Sequence, residues 1–378
     1  MVETRSGLQL VMLMLVCGAA RAMYNCSCSQ RYDRVTWTGA DVDFGCSEVD
    51  QMLKDSGKYI SKNAIALRAQ IYRDEVYLAL PRFKSGVAST LAKTCLTLNT
   101  CQAKLVPYPS LNFQLEGKAN EIQNAVDLFI DCQDVLWVLD TGIIYTLDSC
   151  PQRTGPPTIW AFSLCTGKLL KKIDLTCLTT PMSRLQYLVV DYGSCGKCFV
   201  YVSDAANRAL IVFDVAENKG TRVVLPKAIT AGCSKRDVLY IALMRSECGP
   251  SALIVTYLSG TRVFTVRTEY LRSGSAGKIL DMGPKSDKMV ILGVDGGTSM
   301  FFRYGGASDI YKWDVGKPFN SDNFVLVYRP DSCLLATQVM VDYERNRMMV
   351  LESNFPDFTN NNVGCGIMQT IRALDGCS

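Results

Sequence analysis

The chain has 378 residues, with 40 lysine and arginine against 36 aspartate and glutamate, no histidine, and a net charge of +4. Without histidine there is no Ser-His-Asp triad, no Cys-His nucleophile, and no imidazole ligand for zinc or for the all-histidine copper sites of phenol oxidases. The charge is mild and no Lys/Arg cluster is interleaved with aromatics, which argues against nucleic acid as a partner.

Taken in chain order, the first element is a leader. Arg5 precedes the short apolar run "LQLVMLMLVCGAA" (8–20), and Ala20-Arg-Ala22 supplies a small-x-small cleavage pattern. This predicts a signal peptide over 1–22, its apolar core too short to span a bilayer. No later apolar run reaches about 18 residues, the length a membrane helix needs. Residues 23–378 therefore read as one secreted, extracellular domain with no membrane anchor.

Of the 17 cysteines, Cys17 lies in the leader. The remaining sixteen are Cys26, Cys28, Cys46, Cys95, Cys101, Cys132, Cys150, Cys165, Cys177, Cys195, Cys198, Cys233, Cys248, Cys333, Cys365 and Cys377. An even number in an oxidising compartment makes all of them disulfide candidates, with the connectivity open. Cys26-x-Cys28 and Cys195-x-x-Cys198 have the spacing of metal or redox pairs, but in a cystine-rich secreted chain structural pairing is the reading, and no metal site is expected. Asn25-Cys26-Ser27 is a glycosylation sequon at Asn25, which makes the expected product a glycoprotein.

Residues 46–60 are consistent with one short helix. Beyond them the texture is short β-branched and aromatic runs broken by Gly, Asp, Asn and Pro. Such runs include "EVYLALPRF" (75–83), "VLWVLD" (135–140), "TIWAFSL" (158–164), "CFVYVSD" (198–204), "SALIVTYL" (251–258) and "SMFFRY" (299–304). In "VDLFIDCQDVLWVLDTG" a strand ends in an acid, a polar turn holding a cysteine follows, and a second strand ends in Asp-Thr-Gly. "YLVVDYGSCGKCFVYVSD" and "QVMVDYERNRMMVLESN" repeat the plan in degenerate form. Each unit resembles an antiparallel sheet that cannot bury both faces alone. Radial packing of about six such sheets gives an all-β fold, a six-bladed, disulfide-braced β-propeller. A pair of β-sandwiches is the alternative.

Hydrophobic-Asp140-Thr141-Gly142 also has the form of an aspartic-protease loop, with Asp295-Gly296-Gly297-Thr298 as its apparent second half. The second loop has Gly where the hydroxyl residue belongs, so a shared-proton dyad is not the reading. Asp140-Thr141-Gly142 reads instead as a turn, the Asp accepting from amides two residues on and Gly supplying a positive φ. No dinucleotide fingerprint, Walker A loop, Gly-x-Ser-x-Gly elbow or EF-hand spacing occurs, and no cofactor is implied. "SNFPDFTNNN" (353–362) places Asn354, Phe355 and Phe358 in a Pro- and Asn-rich stretch, the candidate contacts for a small aromatic amine. Trp137, Trp160 and Trp313 sit in strand-like runs and read as core.

"IDCQDVLWVLDTG" (130–142), together with "PRFKSGVASTL" (81–91), "PYPSLN" (107–112), "CPQRTGPPTIWAFSLCTGKL" (150–169) and "CFVYVSDAANRALIVFD" (198–214), resembles the yellow / major royal jelly protein family of insects. The resemblance implies a six-bladed propeller with a ligand-accessible channel. It implies one of several roles: pigmentation or cuticle protein, dopachrome-converting enzyme, jelly protein, binder of biogenic amines, or eggshell component. The chain departs from the family pattern in its many cysteines and its lack of histidine. The expectation is a non-enzymatic structural component of an insect matrix (eggshell chorion or vitelline membrane, or cuticle), linked through disulfides to other matrix proteins. Dopachrome conversion and amine binding are the alternatives.

Overall fold

A strand whose side chains are buried on both faces must lie inside a stack of sheets, and "VLWVLD" is the clearest case: all six residues of Val135–Asp140 are buried. The computed structural model describes residues 34–39, 41–96, 103–193, 196–234, 236–245, 251–330, 334–363 and 368–374. The leader and Asn25 lie outside them, as do Cys26, Cys28, Cys101, Cys195, Cys248, Cys333, Cys365 and Cys377.

Six four-stranded antiparallel sheets are present. Their innermost strands are Arg68–Tyr72, Ala125–Ile130, Leu185–Tyr192, Leu239–Met244, Met289–Val294 and Leu335–Asp342, defining blades 1 to 6. Each innermost strand packs against the next, and blade 6 returns to blade 1, so the ring closes around a channel. The fold is an all-β, six-bladed propeller, and the sandwich alternative is excluded by that closure. The seam lies in blade 6, where the N-terminal strand Arg34–Thr38 pairs with the C-terminal strand Met368–Ala373, Trp37 opposite Gln369.

The repeated unit seen in the sequence is the inner hairpin of a blade. "LFIDCQDVLWVLD" supplies Ala125–Ile130 and Val135–Asp140, and "YLVVDYGSCGKCFVYVSD" supplies Leu185–Tyr192 and Cys198–Asp204. Burial falls off outward. In the edge strand Leu169–Asp174 only Ile173 is buried, and Lys171 and Lys172 blunt an edge that would otherwise invite pairing. Trp137, Trp160 and Trp313 are all buried, in the faces between blades.

The short helix is Ser47–Asp55. Glu48 and Asp50 in its first turn and Lys54 in its last complement the helix dipole, while Val49 and Leu53 face the core. Innermost-to-second-strand turns (131–134, 295–298) all emerge on one face of the ring. Entries to the innermost strands emerge on the other. That second face also carries a small hairpin, Ile143–Ile144 with Gln152–Arg153, inserted in blade 2.

Candidate functional site

The channel holds two cavities that share three walls. The wide cavity, about 390 Å³, opens on the face where the innermost strands begin. The narrow one, about 130 Å³, opens on the face that carries the 131–134 and 295–298 turns. Arg68, Tyr187 and Tyr240 line both and form the waist. Arg68 is the first residue of its innermost strand, Tyr187 the third and Tyr240 the second, so each stands near the start of a strand that lines the channel.

The Arg68 guanidinium lies 4.6 Å from the Tyr187 ring centroid, and the Tyr187 and Tyr240 rings are 5.0 Å apart. Arg68 Nη1 donates to the Thr337 carbonyl at 3.1 Å. Its Nε stands 3.6 Å from Asp127 Oδ1 but makes no hydrogen bond. Asp127 Oδ2 accepts from the Leu188 amide at 2.7 Å. Burial pushes the Asp127 carboxyl up to about 6, against the pull of Arg68 and of the Leu188 and Leu128 amides. Burial likewise holds the Tyr240 phenol well above its ordinary value.

The raised Asp127 value has a sign that can be measured. Between the unfolded value of 3.8 and the folded value of about 6, the native state keeps a proton that the unfolded chain releases. The contribution to stability is therefore complete below about pH 4 and lost as pH rises through about 6, amounting to up to about 3 kcal/mol. Asp127→Asn is expected to remove this component, so urea midpoints of wild type and variant converge at acid pH and the variant gains at neutral pH. Parallel pH profiles for the two proteins would refute the assignment.

The wide cavity is cationic. Arg68, Arg153, Arg184 and Arg303 line it, and among the described residues no Asp or Glu does. Phe83, Phe355, Leu185 and the two waist tyrosines supply apolar wall. None of these arginines was singled out in the sequence. For two of them a signal was available: Arg68 and Arg184 stand at or just before innermost strands, in "RAQIY" and "RLQYLVVDY".

The structure separates the three residues of the Pro- and Asn-rich stretch. Phe355 lines the wide cavity. Phe358 is fully buried, against Ile65, with Lys84 Nζ 3.9 Å from its ring centroid. Asn354 ties the helix start to the closing strand, its side-chain oxygen accepting from the Met368 amide at 3.0 Å. The stretch is not an irregular loop but a short helix, Phe355–Thr359, started by Pro356, whose fixed φ and missing N–H suit a first turn.

Asp140 is a structural acid. It is 1% exposed, and its carboxylate accepts from the amides of Gln123 (2.8 Å), Asn124 (2.8 Å) and Gly142 (2.9 Å). Burial raises its pKa despite those amides, and Gly142 has φ +65°. Asp295 forms a turn of its own, accepting from Ser299 N at 2.8 Å and Thr298 N at 3.1 Å. Asp140 ends a second strand on the wide face and Asp295 sits in a hairpin on the narrow face, so the two cannot share a proton.

Among the described cysteines, Cys46 and Cys95 are disulfide-bonded. Cys132, Cys150, Cys165, Cys177, Cys198 and Cys233 stand as thiols, the first four of them exposed. Neighbouring hairpin turns in blade 2 each bring one cysteine, yet the Cys165 thiol points to Asp134 Oδ2 at 3.4 Å. Burial pushes the Cys198 thiol up to about 12. No group of three or more metal-ligating side chains occurs among the described residues.

Comparison with known proteins adds a lineage to this geometry. Protein yellow of Drosophila melanogaster is 23% identical over 359 residues, covering 86% of this chain and 65% of that protein. Protein yellow of Drosophila subobscura is 23% identical over 355 residues, covering 86% of this chain and 62% of that protein. The chain thus spans a little under two thirds of the length of these relatives. Solved structures with related backbones include an auxiliary nutrient binding protein from Bacteroides thetaiotaomicron, at 8% identity, 92% of this chain, 79% of that chain and TM-score 0.46. Another is virginiamycin B lyase from Staphylococcus aureus, at 9% identity, 90% of this chain, 99% of that chain and TM-score 0.42. The family model for Major royal jelly protein matches residues 123–372, from the start of blade 2 to the closing strand of blade 6, and the chain belongs to that family.

Proposed function

We propose that the chain is a secreted, non-enzymatic component of an insect extracellular matrix, an eggshell layer or cuticle, joined to other matrix proteins by disulfides. The observation that carries this reading is the placement of the exposed thiols. Cys132 and Cys165 lie in hairpin turns on the narrow face, while Cys150 and Cys177 lie in connections on the wide face. A disc with reactive positions on both faces can be linked into a layer. The propeller interior does not need them: its blades are held by a large apolar core. Pairing of cysteines beyond Cys46 and Cys95, bracing of the blades by them, and glycosylation at Asn25 belong to the same proposal. Gels of native tissue test it. Species larger than the monomer should be present without reductant and collapse to the monomer with it. A monomer in both lanes overturns the cross-linking reading.

The wide cavity favours a second reading, in which the propeller binds a small molecule. A ligand of this kind needs an enclosed apolar volume with a few convergent polar groups, and the channel provides both. An amine is poorly served there. Among the described residues the wide cavity has no lining carboxylate, and Asp127 stands beyond the Arg68 waist, on the narrow side.

A further inference from the structure

We propose that the wide end of the channel binds an aromatic carboxylate, its ring among Tyr187, Tyr240 and Phe355 and its anionic head group on Arg184, Arg303 and Arg153. The proposal deepens the small-molecule reading above by giving the ligand a charge and a shape.

Three observations carry it. First, the charge of the lining is one-sided: among the described residues, four guanidiniums and no carboxylate surround about 390 Å³. Focused positive potential in a cleft with apolar walls raises the local concentration of anions and repels amines.

Second, the guanidiniums are not used up inside the protein. Among the described residues no ion pair involves Arg153, Arg184 or Arg303, whereas Arg68 stands 3.6 Å from Asp127. Arg184 Nη2 donates to the Asp237 carbonyl at 2.7 Å. Arg303 is 7% exposed; its Nε donates to the Ala336 carbonyl at 2.8 Å and its Nη1 to the Tyr304 carbonyl at 3.2 Å. Carbonyl oxygens satisfy donors but do not neutralise charge. A buried cation with no counter-charge is costly, and a bound carboxylate offsets that cost. The planar guanidinium fork matches a carboxylate in two-point geometry, which a lysine would not.

Third, the remaining wall suits a ring. Tyr187 and Tyr240 lie side by side at the waist, 5.0 Å apart, and Phe355 enters from the blade 6 helix. Aromatic walls select flat apolar bodies over flexible polar ones.

The test uses one ring system with three head groups. The full secreted chain is titrated calorimetrically with indole-3-acetate, tryptophol and tryptamine, and separately with inorganic phosphate. Indole-3-acetate should bind, with tryptophol about tenfold weaker or more, since it forfeits a charge-assisted pair. Tryptamine and phosphate should give no heat. Arg153→Gln, at an exposed position whose change leaves the fold intact, should weaken indole-3-acetate by about tenfold, and Arg184→Gln by at least as much. Tryptamine binding as tightly as the acid overturns the anionic assignment and leaves the small-molecule reading standing. Phosphate matching the acid overturns the aromatic half. If no probe binds, both the proposal and the small-molecule reading fall. Unchanged affinity in both arginine variants places the anion elsewhere and also overturns it.

Discussion

Arg82→Met is expected to destabilise the propeller by about 4 kcal/mol, more than any single change at the surface. Arg82 is fully buried, and all five of its N–H donors are used. Nε donates to the Val87 carbonyl at 2.9 Å, and Nη2 to Ala88 at 3.1 Å and Gln114 at 2.6 Å. Nη1 donates to Ile122 at 3.2 Å and also to Gln123. The side chain thus gathers five carbonyls from three segments that sheet ladders do not reach, and ties the blade 1 connection to the entry of blade 2. Methionine fills much of the volume but leaves all five acceptors unpaired in the interior, where each unmet group costs about 1–3 kcal/mol before relaxation. Lysine should not rescue, because a single ammonium with three donors cannot span the set. Thermal unfolding of Arg82→Met should fall by on the order of 10 °C. A fall of a degree or two would show that the carbonyls find other partners.

Trp37→Ala should have the next largest effect and a different signature. Trp37 is fully buried in the strand that closes the ring, within a core cluster that includes Val35, Leu351 and Ile371. Deleting a buried indole costs about 3–5 kcal/mol through lost transfer energy and the cavity left behind. The loss falls at the seam, where the N-terminal strand pairs with the C-terminal one. Gln369, opposite Trp37, accepts from the Ala66 amide at 2.5 Å, so the seam also anchors the approach to blade 1. Hydrogen exchange should show Val35, Trp37 and Ile371 losing protection before the strands of blades 3 and 4. Uniform loss across all blades would refute a seam that opens first.

The inner hairpins were legible in the sequence because β-branched and aromatic runs and acid-terminated turns are local properties. "VLWVLDTG" is such a case: its strand, its buried tryptophan and its Asp-Thr-Gly turn all follow from neighbouring residues. The short helix at 47–55 was legible for the same reason, its acids in the first turn and a lysine in the last. Phe358 misled because a Pro/Asn-rich stretch has the composition of a solvated loop. Composition does not say that Ile65, from blade 1, will cover the ring.

By itself the sequence determined the strand content, the all-β class, the exclusion of histidine chemistry and the family pattern spread along the chain. Each depends on residue type or on spacing within about ten positions. Only the tertiary structure decided what the channel contains. Arg68, Arg184 and Arg303 are separated by more than a hundred residues, and nothing local distinguishes them from surface arginines. Ring closure puts them on one cavity with no carboxylate beside them among the described residues. It also puts Asp140 and Asp295 on opposite faces, in agreement with the rejection of a protease dyad from the sequence. The physical reason is common to both outcomes. Charge acts through space, and in a closed ring spatial neighbours are set by blade order rather than by position along the chain.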